Sequence, residues 1–354
     1  MADKPSDAGI DWTAVEKVLV VKLRSIGDTV LATPSLTALR RFLPHAQIDI
    51  LLEDWVAPLL ESFQGIDNVI TAGTGSLSRF QVMRNLRREG YDVAFNLHGG
   101  TTSTFFTAAS RARHRVGWAE YQYSRLYSHL YSSAADFWKK PKTHSAEQQL
   151  ALLGFAGVPV EDRPASRLTV TPRMAEEIEA LLHGYGVDKK RIALIHPAAA
   201  FATKQWSPQN FARVVEFIES KGLYPVAVTA PGEKSIIDDI ANSTKSSFHG
   251  FSDLSLPQMI ALASRSDLFV GNDSGIAHIA AAVETPSVVI FGSSNRDHWR
   301  PWAPTNDVPN EIVFEEFSCQ PCPGYECKVF GEPRCILSVS TGKVFAAIEK
   351  LLAI

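Results

Sequence analysis

Three loops of this 354-residue chain carry side chains able to move protons or hold charged groups. In Arg24-Ser25-Ile26-Gly27-Asp28, a carboxylate follows the β-branched run KVLVVKL. A carboxylate at a strand end can take a proton from an attacking hydroxyl, and Gly27 permits a tight turn or a close ligand approach. The same aspartate could instead cap a helix. The loop lacks the G-x-G-x-x-G pattern, so no dinucleotide fingerprint is present. The second loop runs from His196-Pro197-Ala198-Ala199-Ala200 to Lys204. Its small residues let backbone N–H groups face a ligand, and Lys204 offers a cation suited to a diphosphate. Taken alone, Lys204 also reads as a solvated surface lysine. The third loop, Gly271-Asn272-Asp273-Ser274-Gly275, leads into an alanine-rich helix carrying His278. That helix start would offer partial positive charge to a phosphate. More polar residues stand there than one cap requires. Glu233, in Thr229-Ala230-Pro231-Gly232-Glu233, is placed to bind a ribose or sugar hydroxyl, or to start a helix.

The elements that must position these loops alternate. Strands are expected at 17–23, 48–52, 69–72 and 93–97, with helices between them, one over 80–88. Pro34 implies that a helix kinks or begins near Thr33. Residues 158–171 lack helical periodicity and read as a linker. Strands then recur at 192–196, 225–229, 267–271 and 287–291, with helices near 208–220, 233–242, 257–265 and 275–284. Strand–helix alternation means parallel sheets. The chain thus reads as a flexible tail (1–16), an N-terminal Rossmann-like domain (17–160) and a C-terminal one (172–354). Open α/β sheets bind ligands at the carboxyl ends of their strands.

Composition narrows the class. Hydrophobic residues are 45%, charged residues 21%, and the net charge is −3. Those values suit a globular protein and give no global basic field of a nucleic-acid binder. The polar start MADKPSDAGIDW has no apolar h-region, so a cytoplasmic protein is expected.

Three stretches together resemble glycosyltransferase family 9, the lipopolysaccharide heptosyltransferases: VVKLRSIGDTVLATPSLTALRRFLP, IHPAAAFATKQWSPQNFARV and DLFVGNDSGIAHIAAAVETPSVVIFG. The resemblance implies a GT-B architecture, two Rossmann-like domains facing a cleft. It implies inverting, metal-independent transfer of a heptose, typically from ADP-heptose, to the lipopolysaccharide inner core. Asp28 matches the family's general base and Lys204 its lysine on the donor phosphates. Asp273, Ser274, Gly275 and His278 match the donor-binding loop. Ser25, Gly27, His196 and Glu233 are taken as further donor contacts. Ala199 departs from the threonine some members carry, which removes a hydroxyl contact. No cofactor is required for catalysis on this reading.

Residues 75–145 hold eleven Lys/Arg against four Asp/Glu, with aromatics interleaved. Arg113 and Arg115 are candidates for binding a phosphorylated, lipid-linked core oligosaccharide, an acceptor that implies a peripheral contact with the inner membrane. The same stretch also reads as a solvated face. Cys319, Cys322, Cys327 and Cys335 form C-x2-C-x4-C-x7-C within 319–335. A structural metal is one reading and reduced thiols the other. Two rivals remain: a GT-B transferase or epimerase acting on another nucleotide-sugar, and a non-catalytic binding protein of envelope assembly. Asp28 favours transfer over epimerisation, because an epimerase has no acceptor to deprotonate.

Overall fold

A computed structural model describes residues 9–304, 308–322 and 324–353. The chain divides into two units, Met1–Thr169 and Val170–Ile354. The division falls inside the stretch read as a linker. Much of that stretch packs on the first unit: Val160, Ser166 and Leu168 are buried, and the Arg167 N–H donates to Thr33 Oγ1.

In the first unit, β1 (Lys17–Val21), β2 (Gln47–Glu53), β3 (Asn68–Ala72), β4 (Val93–Asn96), β5 (His114–Trp118) and β6 (His129–Tyr131) form one parallel sheet. Its order is β3-β2-β1-β4-β5-β6. Val18, Leu19, Val20 and Val21 are wholly buried. Helices cover both faces of such a sheet, which is why β1 reads as a continuous apolar run rather than an alternating one. The loop after β1 opens into α1 (Ile26–Val30), and α2 (Thr33–Phe42) follows with Pro34 in its first turn. Proline is tolerated there because the first N–H groups of a helix have no intrahelical partner. The other helices that bear on function are α3 (Ser76–Glu89) and α4 (Thr101–Ala109).

Part of the stretch expected as a tail is packed on the first unit. Residues 1–8 lie outside the described residues. Beyond them, Trp12 donates its indole N–H to the Ala156 carbonyl at 2.9 Å and packs edge-on against Phe42. Burying one large ring offsets the ordering of the few residues around it.

The second unit repeats the plan with β7 (Ile192–His196), β8 (Tyr224–Val228), β9 (His249–Phe251), β10 (Leu268–Asn272), β11 (Ser287–Phe291) and β12 (Asn310–Phe314). Its order is β12-β11-β10-β7-β8-β9. Trp206 centres its core, 1% exposed, with its indole N–H donated to the Val339 carbonyl at 2.9 Å.

In each sheet the strand order reverses once, between β1 and β4 and between β7 and β10. Helices leave the sheet in opposite directions at such a point and open a crevice at the carboxyl edge. Among the described residues no helix is long and apolar enough to cross a membrane.

Candidate active site

The reversal in the first unit is occupied by Asp28. It sits in the first turn of α1, whose N-cap residue is Ser25, so Asp28 is not the cap. Ser25 Oγ donates to Asp28 Oδ2 at 3.0 Å instead of capping the helix. Lys22 Nζ lies 3.0 Å from Asp28 Oδ1 and donates to the Leu97 carbonyl, also at 3.0 Å. Lys22 itself is 4% exposed. Such a buried ammonium requires partners of this kind. Gly27 is buried within α1, and its carbonyl accepts from the Leu31 N–H. Ser25 and Gly27, expected as donor contacts, are thus occupied in shaping the turn that aims Asp28.

His98 stands at this same edge, and no sequence motif singled it out. It follows Leu97 at the carboxyl end of β4, beside the Lys22–Asp28 pair. Burial, and then the Lys22 charge, push its imidazole down to about 4, so it is neutral near pH 7. Asn96 Oδ1 accepts from the N–H groups of His98 and Gly99 and fixes the loop. Gly99 has φ +75°, and a Cβ there would meet the Tyr121 ring at 2.9 Å. Only glycine fits both conditions. Arg24 adds an exposed guanidinium at this edge, 3.8 Å from Glu53 Oε1. A tetrad of Asp, Lys, His and Arg across two adjacent strand ends was invisible in a single loop motif.

Arg113 and Arg115 lie elsewhere. They stand at the amino end of β5, whose first residue pairs with Val93, the first residue of β4. Asp28 and His98 occupy the opposite, carboxyl edge. Arg115 also has backbone partners, with Nε on the Leu126 carbonyl at 2.7 Å and one terminal nitrogen on the Ala112 carbonyl at 2.6 Å. The strand direction therefore removes this pair from the edge where an acceptor would meet Asp28.

In the second unit, the ends of β7 and β10 bring four expected residues together. His196 closes β7, and burial holds its imidazole down to about 4. Its Nδ1 is hydrogen-bonded to Ser274 Oγ at 3.1 Å. Ser274 is the N-cap residue of the Gly275–Ala282 helix, yet its side chain makes no cap bond. That end therefore keeps partial positive charge. Asp273 is 5% exposed, and its Oδ2 lies 2.8 Å from Lys204 Nζ and accepts from Ser294 Oγ. Lys204 is thus a paired lysine rather than a solvated one. Gly275 opens the same helix and His278 is buried in it. Asn272 locks the two loops: its Nδ2 donates to the Pro197 carbonyl at 2.7 Å, and its Oδ1 accepts from the Trp206 N–H at 3.2 Å. Glu233 closes the short 3-10 turn Pro231–Glu233 that follows β8, one oxygen accepting from the Ala230 N–H at 3.2 Å.

The four cysteines are free thiols, Cys335 buried and the others partly so. Burial, then the neighbouring Cys322, holds the Cys335 thiol above its ordinary value. Among the described residues no group of three or more His, Cys, Asp or Glu side chains is placed to hold a metal, so the metal reading of the cluster finds no support in the geometry. The segment instead braces the second loop. The Cys322 N–H donates to the Ser293 carbonyl at 3.0 Å, Ser293 Oγ donates to Thr203 Oγ1 at 2.9 Å, and Thr203 Oγ1 donates to the Gly324 carbonyl at 3.1 Å. Thr203 and Ser293 are the chain neighbours of Lys204 and Ser294.

Two open six-stranded parallel α/β units of this kind make the GT-B architecture, the fold of many sugar-transferring enzymes. The chain belongs to glycosyltransferase family 9 (heptosyltransferase), whose model matches residues 79–330. It is a glycosyltransferase. It is 27% identical over 352 residues to lipopolysaccharide heptosyltransferase 3 of Escherichia coli K12, covering 93% of this chain and 96% of that one. The fold matches a family 9 glycosyltransferase from Veillonella parvula with a TM-score of 0.81 at 18% identity, covering 96% of this chain and 97% of that one. It also matches the E. coli ADP-heptose heptosyltransferase II with a TM-score of 0.78 at 19% identity, covering 95% and 98%.

Proposed function

We propose that this enzyme transfers a heptose from ADP-heptose to the inner core of lipopolysaccharide, either Kdo-lipid A or an already heptosylated core, with inversion at the anomeric carbon. The observation that carries the reading is the Asp28 carboxylate, held between Lys22 and Ser25 at the strand-order reversal. Asp28 accepts the proton of an acceptor hydroxyl as its oxygen bonds to the anomeric carbon. The bond from that carbon to the diphosphate breaks, and the electron pair leaves with the diphosphate. Lys204 and the uncapped start of the Gly275–Ala282 helix supply fixed positive charge to the departing phosphate. Asp273 orients Lys204, Ser274 and His196 fix the helix entrance, and Glu233 takes a ribose hydroxyl. His98, as a neutral imidazole, hydrogen-bonds the acceptor sugar, and Arg24 meets its anionic groups. The reaction belongs on the cytoplasmic face of the inner membrane, where nucleotide-sugars are made.

The test is release of ADP, UDP or GDP from a panel of nucleotide-sugars in the presence of inner-core acceptor. Acceptor-dependent ADP release from ADP-heptose is expected. Acceptor-dependent release of UDP or GDP alone would assign a different donor, and release without acceptor would remove the transfer reading.

A further inference from the structure

Helix α3 is built unlike the other helices of its unit. Leu77 is 78% exposed and Phe80 62% exposed. Three residues apart on a helix, the two side chains adjoin on one face, and it is adjoining exposed apolar groups, not scattered ones, that mark an interaction surface. Positions 77, 80, 84 and 88 fall on one helical stripe, so Arg84 and Arg88 continue the face that Leu77 and Phe80 begin. Arg87 lies beside them. None of Arg84, Arg87 and Arg88 makes an ion pair among the described residues, and the one acid of the helix, Glu89, is 3.7 Å from Lys17. The helix therefore presents an apolar tip and an uncompensated basic flank.

The position of the tip matters as much as its composition. Helix α3 follows β3, so its first turn lies at the carboxyl edge of the sheet. Trp55, 47% exposed, follows β2 at the same edge, where the Asp54 N–H donates to the Ala72 carbonyl. Asp28 follows β1 at that edge too. An acceptor anchored in lipid must reach the base from the side on which the membrane lies.

We propose that α3 is the surface by which this enzyme docks on an anionic lipid bilayer. Leu77 and Phe80 enter the headgroup region, and Arg84, Arg87 and Arg88 engage lipid phosphates. The choice of a lipid surface over a protein partner rests on charge complementarity: three unpaired guanidiniums beside a small apolar tip suit a sheet of phosphates. The inference deepens the proposed acceptor, which is lipid-linked. Its test needs no turnover, so it can fail while that reading stands.

The test is co-sedimentation of the full chain with vesicles of phosphatidylethanolamine and phosphatidylglycerol, and with neutral phosphatidylcholine vesicles. Binding to the anionic vesicles alone, weakened by salt, is expected. Leu77→Ser/Phe80→Ser should weaken it at least about ten-fold. Arg84→Gln/Arg87→Gln/Arg88→Gln should weaken it roughly 10²-fold and flatten the salt dependence. Both variants change exposed side chains, so the thermal midpoint should stay near wild type, as should turnover of a lipid-free acceptor. Failure of the wild type to bind anionic vesicles, or equal binding by a folded variant, overturns the proposal. So does a wild-type dimer that Leu77→Ser/Phe80→Ser dissociates in light scattering without altering vesicle binding, since the helix would then face a second copy of the chain.

Discussion

Lys22 Nζ stands 3.0 Å from both Asp28 Oδ1 and the Leu97 carbonyl oxygen, so one buried ammonium ties the loop after β1 to the loop after β4. The carboxylate is held in place before any acceptor arrives. Asp28→Asn keeps the shape and removes the base. It should lower kcat by about 10²–10⁴ and leave nucleotide affinity unchanged. Turnover near that of wild type would make Asp28 a purely structural member of the turn.

Lys204 and Asp273, 2.8 Å apart, are the pair on which the proposed donor contact rests. Lys204→Ala removes the cation, and Asp273→Ala leaves it without its orienting partner. Both should weaken nucleoside diphosphate binding in calorimetry, Lys204→Ala the more. Unchanged affinity in both variants would place the diphosphate elsewhere. Activity should persist in EDTA, because protein groups meet the phosphate charge.

The acceptor's anionic groups should be felt at Arg24 and not at Arg113 or Arg115. Arg24→Ser is expected to raise the acceptor KM while the donor KM stays constant. Arg115→Ser should instead lower the thermal midpoint, since it cuts two backbone contacts. A raised acceptor KM in Arg115→Ser alone would return the acceptor to the amino edge of the sheet.

His98 and His196 make stability depend on pH. Both imidazoles sit at about 4 in the folded chain against an ordinary value of 6.5. As pH falls from 6.5 towards 4, the unfolded chain takes up protons that the folded one does not, so stability falls with pH in that window. Each histidine adds a slope of about 1.4 kcal/mol per pH unit. Above 6.5 these two groups contribute no slope. Urea midpoints at pH 7, 6 and 5 should decline, and His196→Gln should flatten the decline. An unaltered slope in that variant would mean the imidazole is protonated in the fold.

Gly292, directly after β11, packs against the segment that carries Lys204. A Cβ there would lie 2.4 Å from the Thr203 carbonyl oxygen. Gly292→Ala must push the Thr203–Lys204 segment outward, at about 1–3 kcal/mol. Both a lowered urea midpoint and weaker nucleotide binding are expected. Wild-type binding at reduced stability would show that Lys204 follows the phosphate whatever its backbone does.

The strands at the centre of each sheet were legible because burial on both faces writes them as apolar runs: KVLVV, IALIH and SVVIF stand out without context. β5, β6, β9 and β12 were not, since their residues are polar, aromatic or basic, or, in β12, mostly half-exposed. His114 and His129, 2.9 Å apart, sit on two such strands. Asp28, Lys204 and Asp273 could be singled out because each stands in a loop with its own local pattern. His98 could not. Its role depends on β4 lying beside β1, a pairing no spacing announces. Arg113 and Arg115 fall on the opposite edge for a related reason: charge density along the chain carries no information about which end of a strand holds the charge.

Each sheet also ends on one side in a strand of only three residues, β6 and β9. Parallel sheets form slowly, because every pairing joins segments far apart in the chain. During that time an unfinished edge is a template on which a neighbouring molecule can lay a strand. A three-residue edge offers too few backbone groups to hold a foreign strand in register. Lengthening β6 or β9 by a few β-branched residues would thus be expected to bring aggregation on refolding, with the carboxyl ends of the central strands left intact.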